Sequence, residues 1–368
     1  MRTIKNHLAA VTTPLLLAIS LPHLAHSKEP PNFISPPENK PSYLTFFLDN
    51  DIFAGRDQDY TNGARLSYIT EGKPVLELPL IEKSLRRFSA CNEDGIGPFR
   101  RLWGFDDPNK VEYAYGFSLT QLMFTPEEPT ALTAPPGERP YAGWTGIGLS
   151  LHARDEKVLN TVEISIGVVG PHAFAQETQD FIHDLRNIDQ FDGWDSQVPN
   201  EVTLNLHFDH KRRWTDLRNI HLPFELELDG FHEIGYSIGN YLTEAHIGFL
   251  VRLGWNLPVE FSDARLTTTA HTQKLYADGN SNQRLCSFYF IGGGRITSVL
   301  HDITLDSPVF RDFNTGVKRE PFVSEIYAGF GLRYDDWEFN YVHTYRSKQF
   351  ETQSEAPSFG SIAIRKRF

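Results

Sequence analysis

The feature that most constrains the fold is a series of short segments, each about ten residues long, in which apolar and polar residues alternate. Such segments predict β-strands with one apolar face, joined by turns. Twelve segments fit the pattern: 42–50, 63–70, 112–122, 142–152, 158–168, 201–209, 221–234, 241–254, 285–299, 322–334, 336–347 and 358–368. The sequence therefore predicts an all-β protein.

The environment of this sheet is indicated by what the chain lacks and by its aromatic content. After residue 27, no apolar stretch approaches the ~20 residues that a membrane-spanning helix needs. Aromatic residues nevertheless make up 13% of the chain, with 27 Phe and 14 Tyr. We therefore predict a transmembrane antiparallel β-barrel of about twelve strands, the kind found in bacterial outer membranes.

The N-terminus has the pattern of a secretory signal. Arg2 and Lys5 precede an apolar run at 8–21, and small residues follow at 25–27. We interpret residues 1–27 as a signal peptide and residues 28–368 as the barrel, with an uncleaved anchor as the alternative. The formal net charge of −12 gives no indication of nucleic-acid binding.

The C-terminus favours the membrane barrel over a soluble one. Ile362 and Ile364 share one face of the last segment, and the chain ends on the aromatic Phe368. Closing strands of outer-membrane barrels usually end in this way, and we expect the barrel-assembly machinery to engage the chain through Phe368. The alternative is a secreted β-sandwich or lipocalin-like barrel, which shows the same alternation.

An even strand number predicts where the polar motifs lie. Both termini would be periplasmic, so the connection 71–111 would be a long periplasmic segment and 170–200 an extracellular loop. By this topology, every polar cluster considered below falls on the extracellular rim. We expect the protein to be a multi-pass outer-membrane protein with its site facing outward.

The third external loop contains a segment with helical spacing. Residues 173–186 place Phe174, Thr178, Phe181, Ile182 and Leu185 in an apolar stripe, which would pack on the barrel wall or on lipid tails. Gln179 and His183 are four residues apart and share another face. His183 is our candidate general base, with Asp189 shortly after it, although a solvated loop histidine is the common alternative.

Two further polar motifs end the first strand and begin the second. Asn50, Asp51 and Thr61 supply hard oxygen ligands, which suit Ca²⁺ better than a transition metal. Ordinary turn chemistry explains such residues equally well. The sequence leaves both interpretations open.

These motifs together resemble the outer-membrane lipid A 3′-O-deacylase family (LpxR-type). The resemblance rests on the NDxF…D…YTNG segment and on four later motifs: Gly137-Glu-Arg-Pro-Tyr-Ala-Gly, Gly170-Pro-His-Ala, Gln179-x-x-x-His183 and Gly193-Trp194-Asp195-x-Gln197. It implies a twelve-stranded barrel that hydrolyses the 3′ acyloxyacyl ester of lipid A, within lipopolysaccharide in the outer membrane, with Ca²⁺ as cofactor.

The resemblance also implies roles for single residues. His183 would be the base, assisted by Gln179, and Asn50, Asp51 and Thr61 would form the polar wall. Asp51, Thr61 and Asp189 would be the metal candidates. Because lipid A carries phosphates, Arg139 and Arg56 are candidate substrate contacts, with solvated loop arginines as the alternative.

Other functions remain in competition with this hypothesis. In a porin-like or structural barrel, the rim residues would be ordinary loop and turn residues. Such a barrel would not need the Gln179–His183 pair. A serine lipase would need a G-x-S-x-G elbow, and the sequence has none.

The sequence contains two cysteines, Cys91 and Cys286. Both would lie on the oxidising periplasmic side, where they form a disulfide or remain two thiols.

Overall fold

The computed structural model describes residues 42–50, 62–71, 73–74, 104–105, 111–128, 130–187, 190–258, 260–261, 265 and 286–368. Its main element is one antiparallel sheet, in which twelve long strands occur in chain order around a closed barrel. The strands are β1 (Tyr43–Asn50), β2 (Asn62–Ile69), β3 (Glu112–Phe124), β4 (Ala142–Arg154), β5 (Val158–Val169), β6 (Glu201–Arg213), β7 (Glu227–Gly239), β8 (Leu242–Trp255), β9 (Cys286–Asp302), β10 (Phe322–Tyr334), β11 (Trp337–Arg346) and β12 (Ser358–Arg367).

Closure of the barrel is made by the first and last strands. β1 pairs with β2 on one side and with β12 on the other, and Phe46 lies opposite Ile364 in the closing register. Ser42 and Phe368 extend this pairing by exchanging two backbone hydrogen bonds. The predicted twelve-stranded barrel is confirmed. A two-residue strand, Lys73–Pro74, pairs with the start of β3.

Shorter elements occupy the connections. One α-helix, α1 (Ala175–Arg186), lies between β5 and β6. Four 3₁₀ turns accompany it in the described part of the chain: Pro171–Ala173, Trp194–Ser196, Thr215–Asn219 and Pro223–Glu225. No helix among the described residues has the length and apolarity to cross a membrane.

Two predicted boundaries were wrong. The helix begins at Ala175 rather than 173, because Phe174 adopts a left-handed backbone conformation with φ of 54°. The seventh strand spans Glu227–Gly239 instead of 221–234. The chain before it forms the 3₁₀ turn Pro223–Glu225, since Pro223 has no N–H to contribute to a sheet ladder.

Side chains alternate between two environments along every long strand. Outward positions are apolar and exposed, as at Phe117, Leu119, Ile147 and Leu149. Inward positions are mostly polar and buried. A barrel whose outer surface is apolar and whose interior is polar matches the pattern of a protein that crosses a membrane with its strands.

Ion pairs fill much of the interior. Asp229 Oδ2 accepts from Arg213, Arg218 and Arg252 at 2.7, 2.9 and 2.6 Å. A second carboxylate, Glu233, lies 2.7 Å from Arg295. Paired charges retain a partner in the low-dielectric interior, and these networks link the consecutive strands β6, β7, β8 and β9.

The rim that carries α1 is covered by connected loops. Arg139 Nη2 donates to Thr304 Oγ1 at 3.0 Å, which links loop 125–141 to loop 303–321. Ser354 donates to Glu127 at 3.1 Å and links loop 347–357 to the first of these. We call this end of the barrel the loop-bearing rim.

The buried network predicts unequal costs for two ion-pair deletions. Asp229→Ala leaves three arginines without their shared carboxylate, so we expect a loss of about 3–5 kcal/mol in the free energy of unfolding. Asp336→Ala is the control, because Asp336 pairs with Arg367 at 2.8 Å but is 43% exposed. Its loss should be about 0–1 kcal/mol. Urea unfolding in detergent micelles measures both, and equal losses would contradict the stabilising role of the interior network.

Candidate functional site

Helix α1 is fixed to the outside of the barrel wall. Gln121 Nε2 on β3 donates to the carbonyl of Ala173 at 2.8 Å, and Thr145 Oγ1 on β4 donates to the same oxygen at 2.7 Å. Both donors continue the outward series of Leu119 and Ile147. The helix therefore begins against the outer surface of two neighbouring strands.

A glycine permits the close approach of helix and wall. A Cβ atom added at Gly143 would lie 2.4 Å from Ala175 Cβ and 3.3 Å from Ala173 Cβ. Any side chain at this position would push the first turn of α1 outward. Met123, Tyr141, Ala175, Phe191 and Trp194 form a buried apolar cluster around this contact.

The two predicted polar residues of the helix are both buried. Gln179 is 3% and His183 5% exposed. Trp194 Nε1 donates to Gln179 Oε1 at 2.7 Å, and the buried Gln179 Nε2 has no hydrogen-bond partner in the described part of the chain. The His183 ring lies 5.8 Å from the ring of Phe191, centroid to centroid. An aromatic and amide environment thus holds both side chains in place.

The electrostatics around this cluster follow from its burial. Burial raises the pKa of Tyr141 to about 12, so its phenol stays protonated at neutral pH. Its ring lies 5.3 Å from Trp194. Desolvation also raises the pKa of Asp180, the residue after Gln179, against the opposing effect of His183. The buried Asp180 Oδ1 has no hydrogen-bond partner among the described residues.

The register of the strands places Asn50 on the same outer surface as Gly143. Asn50 pairs with Asn62, Asn62 with Met123, and Met123 with Gly143, in a row across β1 to β4. Alternation places Asn50 on the outward face with Phe46. Three strand spacings amount to about 14 Å, and the eight residue steps from Ala175 to His183 span about 12 Å of helix. The distance across the wall from Gly143 to Asn50 is therefore similar to the distance along the helix from Ala175 to His183.

Several predicted site residues cannot be placed in this geometry. Asp51, Arg56, Thr61 and Asp189 lie outside the described residues, and their roles stay predictions. Within the described ranges, no group of three or more His, Cys, Asp or Glu residues is arranged to hold a metal ion.

The structure places the Arg139 side chain beside an inward-facing residue of the barrel, whereas α1 lies on the outer surface. Its side chain is fully buried, and its guanidinium lies 4.2 Å from the ring centroid of Phe124, an inward-facing residue. The arginine connects loops at the loop-bearing rim, and its predicted contact with phosphate stays a prediction.

The predicted cysteine pair is described at one member only. Cys286 begins β9, is exposed and has no disulfide partner among the described residues. Cys91 lies outside the described residues, so the disulfide stays a prediction.

Sequence reasoning missed the aromatic residues that enclose the polar pair. Trp194 and Tyr141 each stand in a motif noted above, yet neither was assigned to the site. Phe191 lies in no such motif. These contacts join residues from loop 125–141, from α1 and from the chain that follows α1. No periodic pattern within a single element predicts them.

Fold and site together define a class of protein. It is an outer-membrane β-barrel with a buried Gln–His pair between a loop helix and the outer surface of the wall.

Comparison with known proteins identifies the family. The sequence profile described as outer membrane protein LpxR matches residues 11–368. The structure of LpxR from Salmonella typhimurium is similar with a TM-score of 0.66 at 17% sequence identity, covering 89% of this chain and 100% of that one. The β domain of the Bordetella autotransporter BrkA gives a TM-score of 0.39 at 10% identity, covering 89% of this chain and 98% of that one. Among curated proteins, none matches the chain. The chain belongs to the LpxR family.

The tight contact at Gly143 predicts the effect of a larger residue. Gly143→Val should displace α1 while leaving the barrel intact, because overpacking costs about 1–3 kcal/mol and the helix is the part that can move. We expect about tenfold faster proteolysis within 170–200, since 1.4 kcal/mol corresponds to a tenfold change in the open population. Gly292→Val is the control, since an added Cβ there meets nothing within 4 Å. Unchanged cleavage of Gly143→Val would contradict this docking of the helix.

Proposed function

We propose that the protein is an outer-membrane esterase that removes the 3′-linked acyloxyacyl chain of lipid A by attack of a water molecule. The observation that carries the proposal is the burial of Gln179 and His183 beside the largely apolar outer surface of the barrel. Membership of the LpxR family supports a lipid A deacylase role in general terms. Burying two polar side chains on the lipid-facing side of a wall is costly, and binding and catalysis would explain their presence.

His183 is the proposed general base. A neutral imidazole accepts a proton near pH 7, and a positioned base contributes about 10²- to 10⁴-fold to the rate of proton transfer. The Phe191 ring lies beside it, and the burial of the side chain restricts its rotation. His183 would take a proton from the water that attacks the ester carbonyl. It would return this proton to the departing 3′ oxygen when the bond between that oxygen and the acyl carbon breaks.

Gln179 is proposed to hold the substrate or the developing oxyanion. Its Oε1 accepts from Trp194, which fixes the orientation of the amide and directs Nε2 away from that bond. A preorganised N–H donor of this kind stabilises negative charge that appears during acyl transfer. Trp194 is then a positioning residue for Gln179.

Calcium is the proposed cofactor, and the oxygen ligands available to it are suitable. Asn50, Asp51, Thr61 and Asp189 offer amide, carboxylate and hydroxyl oxygens, which Ca²⁺ prefers. Among described residues, Asp180 adds a buried carboxylate oxygen without a hydrogen-bond partner. A bound Ca²⁺ would supply Lewis-acid polarisation of the ester carbonyl.

The position of the site suits a lipid substrate. The Gln179–His183 pair lies outside the wall, where a lipid molecule can reach it without entering the lumen. We further propose that the loop-bearing rim is extracellular, which places the site in the leaflet that carries lipid A. Arg139 and Arg56 remain candidates for contact with the lipid A phosphates.

Replacing the proposed base should silence the enzyme. His183→Ala is expected to lower deacylation by about 10²- to 10⁴-fold, because no other group would accept the proton of water. Purified protein in detergent would be incubated with Kdo-bearing lipid A and Ca²⁺, and the products weighed by mass spectrometry. His172→Ala is the matched control, an exposed histidine in the same loop.

Two outcomes would contradict this assignment. Full activity of His183→Ala would remove the histidine from the mechanism. No mass change with the native protein, in a barrel shown to be folded by heat-modifiable gel mobility, would favour the porin-like or structural alternative.

Calcium removal provides a separate test. A chelator should abolish deacylation by the native protein, and added Ca²⁺ should restore it. Mg²⁺ should restore it less well, because Mg²⁺ requires near-octahedral geometry and loses its water reluctantly. Activity that persists after exhaustive chelation would reject the proposed cofactor while leaving the role of His183 open to its own test.

A further inference from the structure

Helix α1 has three distinct sides. At 3.6 residues per turn, Ala175, Gln179 and His183 share the side that faces the wall. Phe181, Ile182 and Leu185 lie on a second side and are exposed, at 66%, 37% and 74%. The third side is acidic and carries the exposed Glu177 and Asp184, and the partly buried Asp180 lies between this side and the wall.

This arrangement is the reverse of that expected for a helix in a solvated loop. A surface helix in water buries its apolar stripe and exposes its polar residues. Here the apolar stripe predicted from the sequence faces away from the wall, and polar residues are buried. Phe174, directly before the helix, is also exposed, at 60%. The surroundings of the apolar side must therefore differ from water.

The apolar outer surface of the barrel continues to the level of the helix. Gln121 and Thr145, which bind the start of the helix, lie two residues nearer to the loop-bearing rim than Leu119 and Ile147 on their strands. Leu119 and Ile147 are 53% and 57% exposed. With Phe117 and Leu149 they form the apolar outer surface of β3 and β4, which we call the lipid-facing band. Two residues of strand span about 7 Å, and a helix with its side chains has a radius of about 5 to 6 Å. One flank of α1 thus reaches the edge of the hydrocarbon layer.

The apolar side and the acidic side of α1 differ in polarity, and this difference determines which of them faces the lipid. If the acidic flank faced the band, Glu177 and Asp184 would enter hydrocarbon, where ionised carboxylates are strongly disfavoured. The opposite orientation puts Phe181 and Leu185 among acyl chains and leaves the carboxylates in water. An amphipathic helix with this division lies in the plane of a membrane interface.

We propose that α1 is an interfacial membrane helix whose apolar side, formed by Phe174, Phe181, Ile182 and Leu185, is embedded among the acyl chains of the leaflet at the loop-bearing rim. The occupant of this surface is lipid, because the surface is continuous with the lipid-facing band of β3 and β4. This inference depends on the outer-membrane location and is independent of the proposed hydrolysis.

Spin labelling tests the proposal without reference to activity. Single cysteines would replace Phe181 and Leu185 in a full-length Cys91→Ser/Cys286→Ser background and carry a nitroxide label. Glu177→Cys and Asp184→Cys are matched controls on the acidic side of the same helix. The labelled proteins would be reconstituted into phosphatidylcholine vesicles containing lipid A, and heat-modifiable gel mobility would confirm that each barrel is folded.

The expected result is a reversal of accessibility around the helix. Labels at 181 and 185 should collide more with oxygen than with a water-soluble nickel chelate, and labels at 177 and 184 should show the opposite. Preference for the nickel chelate at all four positions would show that α1 lies in water and would overturn the proposal. Low collision with both reagents at 181 and 185 would show that another protein surface or a second copy covers them, which would also overturn it.

Discussion

Hydrogen bonding of the backbone in a medium without water is the constraint on which the rest of this structure depends. Every strand must pair on both edges, because an unpaired N–H or C=O in hydrocarbon costs several kcal/mol. β1 and β12 meet this requirement by pairing with each other, and the backbone exchange between Ser42 and Phe368 extends the seam to the end of the chain. The closed sheet then separates an apolar outer surface from a polar interior, so any polar group on the outer surface needs a specific explanation.

The candidate site is such a group, and its placement follows from the rigidity of the wall. Gln121 and Thr145 direct the chain onto the outer surface, and Gly143 leaves space for it. The wall then positions Gln179 and His183, while Trp194 fixes the amide of Gln179. A rigid sheet under a short helix can hold two polar side chains in place, as catalysis requires. Helix, wall and enclosing aromatics act as one unit.

Much of this architecture was predictable, for identifiable reasons. Alternation with a period of two marks a strand wherever one face meets lipid, so the segments 112–122 and 158–168 were found within a few residues of their bounds. The seventh strand was misplaced because apolar residues near Pro223 continue the alternation while the backbone turns. Gln179 and His183 were recognisable as a pair from their spacing in a helix. Phe191 and Tyr141 were not, since their contacts depend on how a loop folds back on the wall.

Local sequence patterns were sufficient to predict the number of strands, the closing strand and a loop helix with two polar residues on one side. These are local patterns, because periodicity reports which environment each face of an element meets. Three facts required the folded chain: the polar side of α1 faces the wall, its apolar side faces outward, and Arg139 lies buried near Phe124. These facts depend on contacts between residues that are separated in the sequence. The register of the closed sheet determines which of these residues come into contact.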